Sequence, residues 1–468
     1  MGKKKNIVIE DLVVTGYAAE GRSVARHEGK VIFMENAVPG DIVTVRLIKN
    51  KKDWAEARVT KITSYSSERI QAFCKHFGIC GGCQWQMLPY EKQLEYKQDQ
   101  VLQSLKRIGK LELPEIRPIL GSEKTTQYRN KLEYTFSNRR YLVQEELDDP
   151  QVSVLQNAAG FHARGIYDKV VDVETCYLQD EPTNTIRREV KRWAIEHGQS
   201  FYDIRQHDGF LRNLQVRICR SGEIMVNVVF GYADEPLQNA LLKQIQIQFP
   251  SVTTLLYTIN PKWNDSINDL LPVIFHGKGY VIEKLEGFSF KIGPKSFFQT
   301  NTAQAERLYQ TVRAFAALRG TETIYDLYCG TGSIGIFLSD RIAKLIGIEL
   351  IPEAVNDAME NALLNGVHHA HFFAGDVTDL CNEAFFEAHG RPDLIITDPP
   401  RAGMSEKLVS KLLEIGAEKI IYVSCNPATQ ARDLNLLSEK YHISAVQPVD
   451  MFPHTLHIEN VVGLFLKH

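Results

Sequence analysis

No stretch of this chain stays apolar for the roughly 20 residues that a bilayer crossing takes, and no apolar run follows its charged first residues, Met1-Gly2-Lys3-Lys4-Lys5-Asn6. A membrane span and a signal peptide are therefore not expected, and a cytoplasmic location is. An excess of one charge is missing too: 54 Lys and Arg stand against 57 Asp and Glu, for a net charge of −3. No global basic field advertises nucleic acid, so such a contact has to be a local patch. Cysteine is sparse. Eight are scattered through 468 residues, which excludes a disulfide scaffold and leaves free thiols or a metal cluster as their uses. What is not short is the chain itself, which can bury the cores of two or three domains without staples.

Among what is present, Ile420-Ile421-Tyr422-Val423-Ser424-Cys425-Asn426-Pro427 organises the rest. Its β-branched apolar run predicts a buried strand that ends on a thiol. Pro427 suits the first turn of a helix, where its missing N–H costs nothing. Cys425 should then sit at a helix N-terminus, whose free N–H groups and positive dipole end favour a thiolate nucleophile. A lone cysteine at a strand end is more often a small buried hydrophobe, so the remaining residues have to decide.

Residues 6–12, 29–33, 41–47 and 55–62 read as short strands with Pro39-Gly40 between the second and third, which predicts a small barrel. Arg22, Arg26, Lys30, Arg46, Lys49, Lys51, Lys52, Arg58 and Lys61 make it mildly basic, fitting either RNA or a merely solvated surface. The order Gly16, Gly21, Val24-Ala25-Arg26, Gly29-Lys30-Val31-Ile32-Phe33, Val38-Pro39-Gly40-Asp41 resembles a TRAM domain, an oligonucleotide-binding-like barrel found on RNA-modifying enzymes.

Cys74, Cys80 and Cys83 place three thiols within ten residues around Gly81-Gly82, and Cys176 is the candidate fourth, brought in by folding. Four thiolates suit structural zinc or an iron–sulfur cluster; one distant, single ligand leans towards the cluster. His76 is the alternative ligand. Residues 90–108 predict an amphipathic helix with Leu94, Val101, Leu102, Leu105 and Ile108 inward and Lys and Gln opposite, ended by Gly109. Residues 130–137, 214–220 and 224–230 read as antiparallel strands, and Tyr128-Arg129-Asn130-Lys131 with Arg139-Arg140 puts cations beside an aromatic, a pattern that fits a single-stranded RNA groove or ordinary exposed strand ends.

From about Glu283, strands alternate with helices, which predicts a doubly wound parallel sheet. The strand 323–328 turns through Cys329-Gly330-Thr331-Gly332-Ser333-Ile334-Gly335 into a helix, and the next strand ends on Glu349, placed to accept from a ribose diol. The glycine spacing also matches a nicotinamide dinucleotide fingerprint. A third strand ends on Asp376, suited to an adenine amine, and a fourth on Asp398-Pro399-Pro400-Arg401. These favour S-adenosylmethionine, with an adenine amino-methyltransferase as a competitor. An amine acceptor needs no thiol. Carbon-5 of uracil does: thiolate addition at carbon-6 makes carbon-5 nucleophilic, and a base must later remove the carbon-5 proton. Glu459 is the expected base, with His457, Glu459 and Val461 on one face of a late strand. Phe297-Phe298-Gln299 supplies aromatics for an extruded base and a polar contact.

Together these residues resemble the RNA uracil-5-methyltransferase family, and within it the branch acting on 23S ribosomal RNA with a TRAM domain and a 4Fe-4S cluster. The resemblance spans essentially the whole chain. It implies a TRAM barrel over 1–62, a central α+β domain over 63–282 carrying the iron–sulfur cysteines, and a Rossmann-like methyltransferase domain over 283–468. It further implies Cys425 as nucleophile, Glu459 as base, and Gln299, Tyr328, Glu349 and Asp398 at S-adenosylmethionine; Asp376 joins that cofactor by its place at a strand end. Phe297 and Asp398 would meet the uracil, and Cys74, Cys80, Cys83 and Cys176 would hold the 4Fe-4S cluster. The expected partner is 23S ribosomal RNA, with no membrane, and the protein a monomer. Tyr328 and Ser333 stand where relatives often carry Phe and Asn. Transfer RNA as substrate, the adenine reaction and a non-catalytic iron–sulfur assembly factor are the competing expectations.

Overall fold

A computed structural model describes residues 7–18, 21–153 and 155–468. The charged segment 1–6, including the Asn6 expected to open the first strand, lies outside the described residues. Five strands close into a barrel: β1 (Val8–Tyr17), β2 (Ser23–His27), β3 (Lys30–Met34), β4 (Ile42–Asn50) and β5 (Trp54–Ser64), in the order β1-β2-β3-β5-β4. Side chains alternate across each strand, so Val14, Ala25, Ile32, Val43, Val45 and Ala55 fill the interior. β2 gives no local signal because Ser-Val-Ala-Arg-His is short and half polar; its pairing with β1 and β3 creates it.

The middle of the chain builds a seven-stranded sheet from β6 (Lys131–Ser137), β7 (Ala158–His162), β8 (Val170–Asp172), β9 (Leu211–Ile218), β10 (Ile224–Phe230), β11 (Thr254–Ile259) and β12 (Val273–His276), ordered β12-β11-β10-β9-β6-β7-β8. The helices Thr183–Glu196 and Glu235–Gln248 contribute Ile186, Val190, Trp193, Leu241, Leu242 and Ile245 to its core. A hairpin, β13 (Val281–Leu285) and β14 (Phe288–Ile292), then packs into the core of the C-terminal domain.

The C-terminal domain is built on a second seven-stranded sheet: β15 (Thr323–Leu327), β16 (Lys344–Glu349), β17 (Ala370–Ala374), β18 (Leu394–Thr397), β19 (Lys419–Ser424), β20 (Tyr441–Val449) and β21 (Glu459–Leu466), ordered β17-β16-β15-β18-β19-β21-β20. β15 to β19 pair in parallel, and β21 runs against both its neighbours. The central strands are buried along nearly their whole length, as apolar runs covered by helices on both faces must be. β15 has β16 on one side and β18 on the other, so the chain reverses its direction of sheet growth there and opens a crevice at the carboxyl edge.

One expectation fails in an informative way. Residues 90–108 do form a helix, Tyr90–Gln103, that gives way to a π turn at Ser104–Ile108 before Gly109. Its Gln and Lys face is not solvated. Gln93 and Lys97 are fully buried, because that face lies against residues 450–456 more than 350 positions away. Among the described residues no helix is long and apolar enough to cross a membrane.

Candidate active site

The carboxyl ends of β16, β15, β18 and β19 lie side by side, and β21 starts beside them. Leu327 pairs with Ile348 and Thr397, Thr397 with Tyr422, and Ser424 with Asn460. The residues one step further along, Tyr328, Asp398, Cys425 and Glu459, therefore share one edge with Glu349. Sequence order scatters them over more than 100 positions; register alone collects them. Three hydrogen bonds through Gln430 fix the thiol strand to the acid strand: Gln430 donates to the carbonyls of Tyr422 (2.9 Å) and Asn460 (3.2 Å), and the Asn460 amide donates back to Gln430 Oε1 at 2.8 Å. Asn426 caps the helix Pro427–Leu437 through Ala428 N and donates to the Arg401 carbonyl at 3.0 Å, tying the thiol turn to the Asp398-Pro399-Pro400-Arg401 turn.

The helix N-terminus does not make Cys425 a resting thiolate. Burial, then the Glu459 and Asp398 carboxyls, push its thiol up to about 11, against a smaller opposing pull from Arg401. The thiol therefore favours its protonated form, because desolvation and two acids outweigh the dipole of one helix end. Glu459 is 5 % exposed, and burial followed by the nearby Asp398 carboxyl holds it well above the usual carboxylate range. Asp398 is raised in turn by burial. The charge of Asp398 beside it thus favours the protonated form of Glu459. His457 departs from the expectation of a common strand face: β21 begins only at Glu459, and His457 lies on the preceding loop, where the Arg401 guanidinium donates to its Nδ1 at 2.7 Å. Arg401 is the cation of this edge, a role that the residues around it in sequence do not reveal.

Further along the edge, Asp326 Oδ2 accepts from Gly335 N at 2.9 Å, under the glycine-rich turn, while its buried Oδ1 has no partner among the described residues. Burial, together with Asp398 and Glu349, lifts its carboxyl to about 7. Glu349 accepts from Gly330 N at 3.1 Å and from Ile351 N at 3.0 Å. Gly332, at φ 76°, opens the helix Ser333–Leu338 in the left-handed region that only glycine enters freely. Tyr328 adopts φ 60° without that freedom, a strained backbone of the kind that collects at functional sites. Asp376 is exposed and spends Oδ1 on Thr378 N at 2.7 Å, capping the short helix Val377–Leu380. Phe298 is 2 % exposed and packs on Phe290, whereas Phe297 is 71 % exposed; Gln299 is buried. Several carboxyls gathered around one crevice suit a cationic ligand.

A pH dependence follows from Asp326. Its carboxyl binds a proton at about 7 in the folded chain against 3.8 ordinarily, so the folded state carries the extra proton between those values and stability falls as pH rises through that window. Ligand-free Asp326→Asn should therefore melt several degrees above the parent at pH 8 and close to it near pH 4, read by thermal denaturation across pH.

Cys74, Cys80, Cys83 and Cys176 line one mostly apolar cavity, together with Phe77, Gln86, Phe161 and Tyr177. Burial pushes the Cys80 thiol to about 11 and the Cys83 thiol to about 12, and raises Cys176. His76 lines it too, with Nε2 accepting from Glu174 N at 3.0 Å. Among the described residues no three His, Cys, Asp or Glu side chains are grouped to hold a single metal ion.

The groove expected around 128–140 is largely committed elsewhere. Tyr128 is buried and donates to Pro453 O at 3.0 Å, Asn130 is buried among Gln299 and Thr302, Arg139 pairs with Asp203 at 3.0 Å and Arg140 with Glu146 at 2.5 Å. Arg129 instead lies over the Phe452 ring, 5.5 Å from its centroid, on the side of His457. Sequence proximity to an aromatic did not separate internal ion pairs from a free surface.

Comparison with known proteins fits this geometry. Residues 274–468 match the family model described as tRNA (Uracil-5-)-methyltransferase, and residues 2–60 match the TRAM domain. A protein of Bacteroides thetaiotaomicron named as an uncharacterised RNA methyltransferase is 51 % identical over 453 residues, covering 96 % of this chain and 100 % of the relative. The chain belongs to the RNA uracil-5-methyltransferase family. A Porphyromonas gingivalis relative with the same description is 46 % identical over 461 residues, covering 96 % of this chain and 98 % of that one. The crystal structure of Pyrococcus abyssi tRNA (uracil-54, C5)-methyltransferase with S-adenosyl-L-homocysteine superposes at a TM-score of 0.74 and 28 % identity, covering 97 % of this chain and 99 % of that chain. In this RNA uracil-5-methyltransferase the TRAM domain is the closed five-stranded barrel, and the methyltransferase fold carries the crevice.

Proposed function

We propose that this enzyme transfers a methyl group from S-adenosylmethionine to carbon-5 of uridine in 23S ribosomal RNA through a covalent cysteine–uracil intermediate, with Cys425 as nucleophile and Glu459 as base. The observation that carries the proposal is the neighbourhood of Cys425, Asp398 and Glu459 on one sheet edge, where the Cys425 thiol is raised by both acids. Gln299, Tyr328, Glu349, Asp376 and Asp398 would hold S-adenosylmethionine, whose positive charge suits the Asp326, Glu349 and Asp398 carboxyls. When bound, this donor supplies the methyl carbon that carbon-5 takes, and leaves as S-adenosylhomocysteine.

The acid pair gives the protons somewhere to go. Asp398 and Glu459 would act as carboxylates when the cationic donor is bound, since positive charge lowers the proton affinity of nearby acids. Asp398 then takes the thiol proton as Cys425 Sγ bonds to carbon-6, and the electron pair moves towards carbon-5. After methyl transfer Glu459 takes the carbon-5 proton, the carbon-5–carbon-6 double bond reforms, and Cys425 leaves and recovers its proton from Asp398. Phe297, whose ring is exposed, would stack on the extruded base, and Arg401 would hold negative charge nearby.

Cys74, Cys80, Cys83 and Cys176 would hold a 4Fe-4S cluster. The four thiols that line one cavity support this reading, since thiolates are the usual ligands of such a cluster. Its simplest role is structural. Anaerobically purified protein should contain iron and acid-labile sulfide, and Cys176→Ser should lose both; full retention in that variant would remove Cys176 from the ligand set.

Transfer RNA is the second candidate substrate, favoured by the transfer-RNA enzyme that matches 97 % of this chain. A barrel with a methyltransferase domain therefore does not by itself select ribosomal RNA. The experiment is to incubate the protein and S-adenosylmethionine with 23S rRNA fragments or transfer RNA transcribed with 5-fluorouridine. Fluorine cannot leave as a proton, so the Cys425 adduct should survive denaturation. A ribosomal adduct supports the proposal and maps the site; an adduct with transfer RNA alone moves the substrate; none with either RNA overturns the covalent mechanism.

A further inference from the structure

Residues 450–458 carry the chain from the end of β20 to Glu459 without forming a helix or strand. They are held by the segment that comes after the cysteines. Lys97 Nζ donates to Asp450 Oδ1 at 2.6 Å and to Phe452 O at 3.1 Å, with Lys97 and Asp450 side chains both 0 % exposed, and Tyr90 OH donates to Asp450 Oδ2 at 2.7 Å. Gln93 is the second clamp. Its Oε1 accepts from His454 N at 2.8 Å, and its Nε2 approaches His454 Nδ1 at 3.1 Å while reaching the carbonyls of Trp85 (3.0 Å) and Leu88 (2.9 Å). The amides of Gln84 and Trp85 in turn donate to His454 O at 2.8 and 3.0 Å. His454 is thereby kept at φ 64°, which a side chain this large adopts only under constraint. Phe73, next to Cys74, meets the His454 ring edge-on at 5.2 Å, and Leu456 packs with Trp85 and the barrel's Tyr17.

Gln93 and Lys97 are four apart on one helix, so they grip the loop at two points on a rigid rod. From His454 the chain is five residues from Glu459, passing the Arg401-bound His457. Cys425 and Asp398 are positioned independently, by β19, β18 and the turns between them. We infer that Gln93 and Lys97 are positioning residues for Glu459: the helix Tyr90–Gln103 and the cysteine segment leading into it aim the base that removes the carbon-5 proton. The inference rests on the covalent mechanism proposed above. In that step Glu459 takes the proton, the C–H electron pair becomes the carbon-5–carbon-6 double bond, and the Sγ–carbon-6 bond breaks. A misaimed base stalls the enzyme after methyl transfer, with methylated RNA still on Cys425. A merely folding-related role would lower every step together and leave no such species.

The test uses the full chain carrying Gln93→Leu or, to avoid an unpaired buried charge, the double change Lys97→Met with Asp450→Leu, each checked by thermal melting for a folded state. With ordinary uridine RNA and labelled methyl donor, both variants should lose about 10- to 100-fold in kcat, with KM for RNA little changed. A labelled, denaturation-resistant protein–RNA adduct should accumulate that the parent does not show. Folded variants that turn over normally, or that slow without a stalled adduct, overturn the inference. Parallel reactions of the parent with 5-fluorouridine RNA separate the two failures: no parental adduct there removes the covalent mechanism, whereas a parental adduct without stalled variants removes only the positioning role.

Discussion

Glu459→Gln is expected to lower turnover by about 10²- to 10⁴-fold, the usual contribution of a positioned general base, while RNA becomes covalently joined to Cys425 and stays there. Glutamine keeps the shape of the side chain and its place opposite Val449 on β20, so addition and methyl transfer should proceed; the product is then trapped because nothing accepts the carbon-5 proton. Cys425→Ala supplies the contrast, with no methylation and no adduct. The substitution also removes one of the two acids that push the Cys425 thiol up to about 11, so adduct formation in Glu459→Gln should reach its plateau at lower pH than adduct formation by the parent on 5-fluorouridine RNA. Gel analysis of labelled methyl groups on protein and RNA across pH reads all three effects. Unimpaired turnover in Glu459→Gln would transfer the base role elsewhere, with the neighbouring Asp398 as the candidate.

The second large effect is on stability. Lys97→Met should cost about 3–5 kcal/mol, because it strands the Asp450 carboxylate in a dry junction. Asp450 would keep Tyr90 OH and Phe452 N as partners, which solvate part of its charge without neutralising it. Adding Asp450→Leu should recover most of the loss, since replacing both members of a buried pair by apolar groups is often neutral. Hydrogen exchange localises the effect: protection should fall in the helix Tyr90–Gln103 and around 450–458, and much less in the five-stranded barrel, whose own core is separate. Equal loss in the double and single variants would show that shape at this junction, not charge, limits stability.

The two predictions touch residues of very different legibility. Cys425 and Glu459 stand out locally: a thiol at the end of a buried β-branched run, and an acid before Asn460-Val461-Val462. Arg401 is visible in Asp398-Pro399-Pro400-Arg401, but period-two alternation puts its partner His457 on a strand that begins only two residues later. Gln93 and Lys97 read as a solvated helix face by every local rule, since polar residues at helical spacing normally face water. The cations at Arg139 and Arg140 read as an RNA surface or as exposed strand ends, yet Asp203 and Glu146 claim them.

Hydrophobic periodicity, turn residues and the chemical identity of a few side chains were enough, without any structure, to imply a small barrel, a middle mixed domain, a doubly wound sheet, and a thiol with carboxylates beside a methyl-donor crevice. Those signals are local, spanning a strand or a turn, and so survive in one dimension. Tertiary structure alone decided which polar residues are buried, that the Cys425 thiol rests protonated, and that the cysteine segment holds the loop ahead of Glu459. Each of these depends on desolvation and pairing between groups brought together from distant parts of the chain, and the free energy of a charged or hydrogen-bonding group is set by what surrounds it in space.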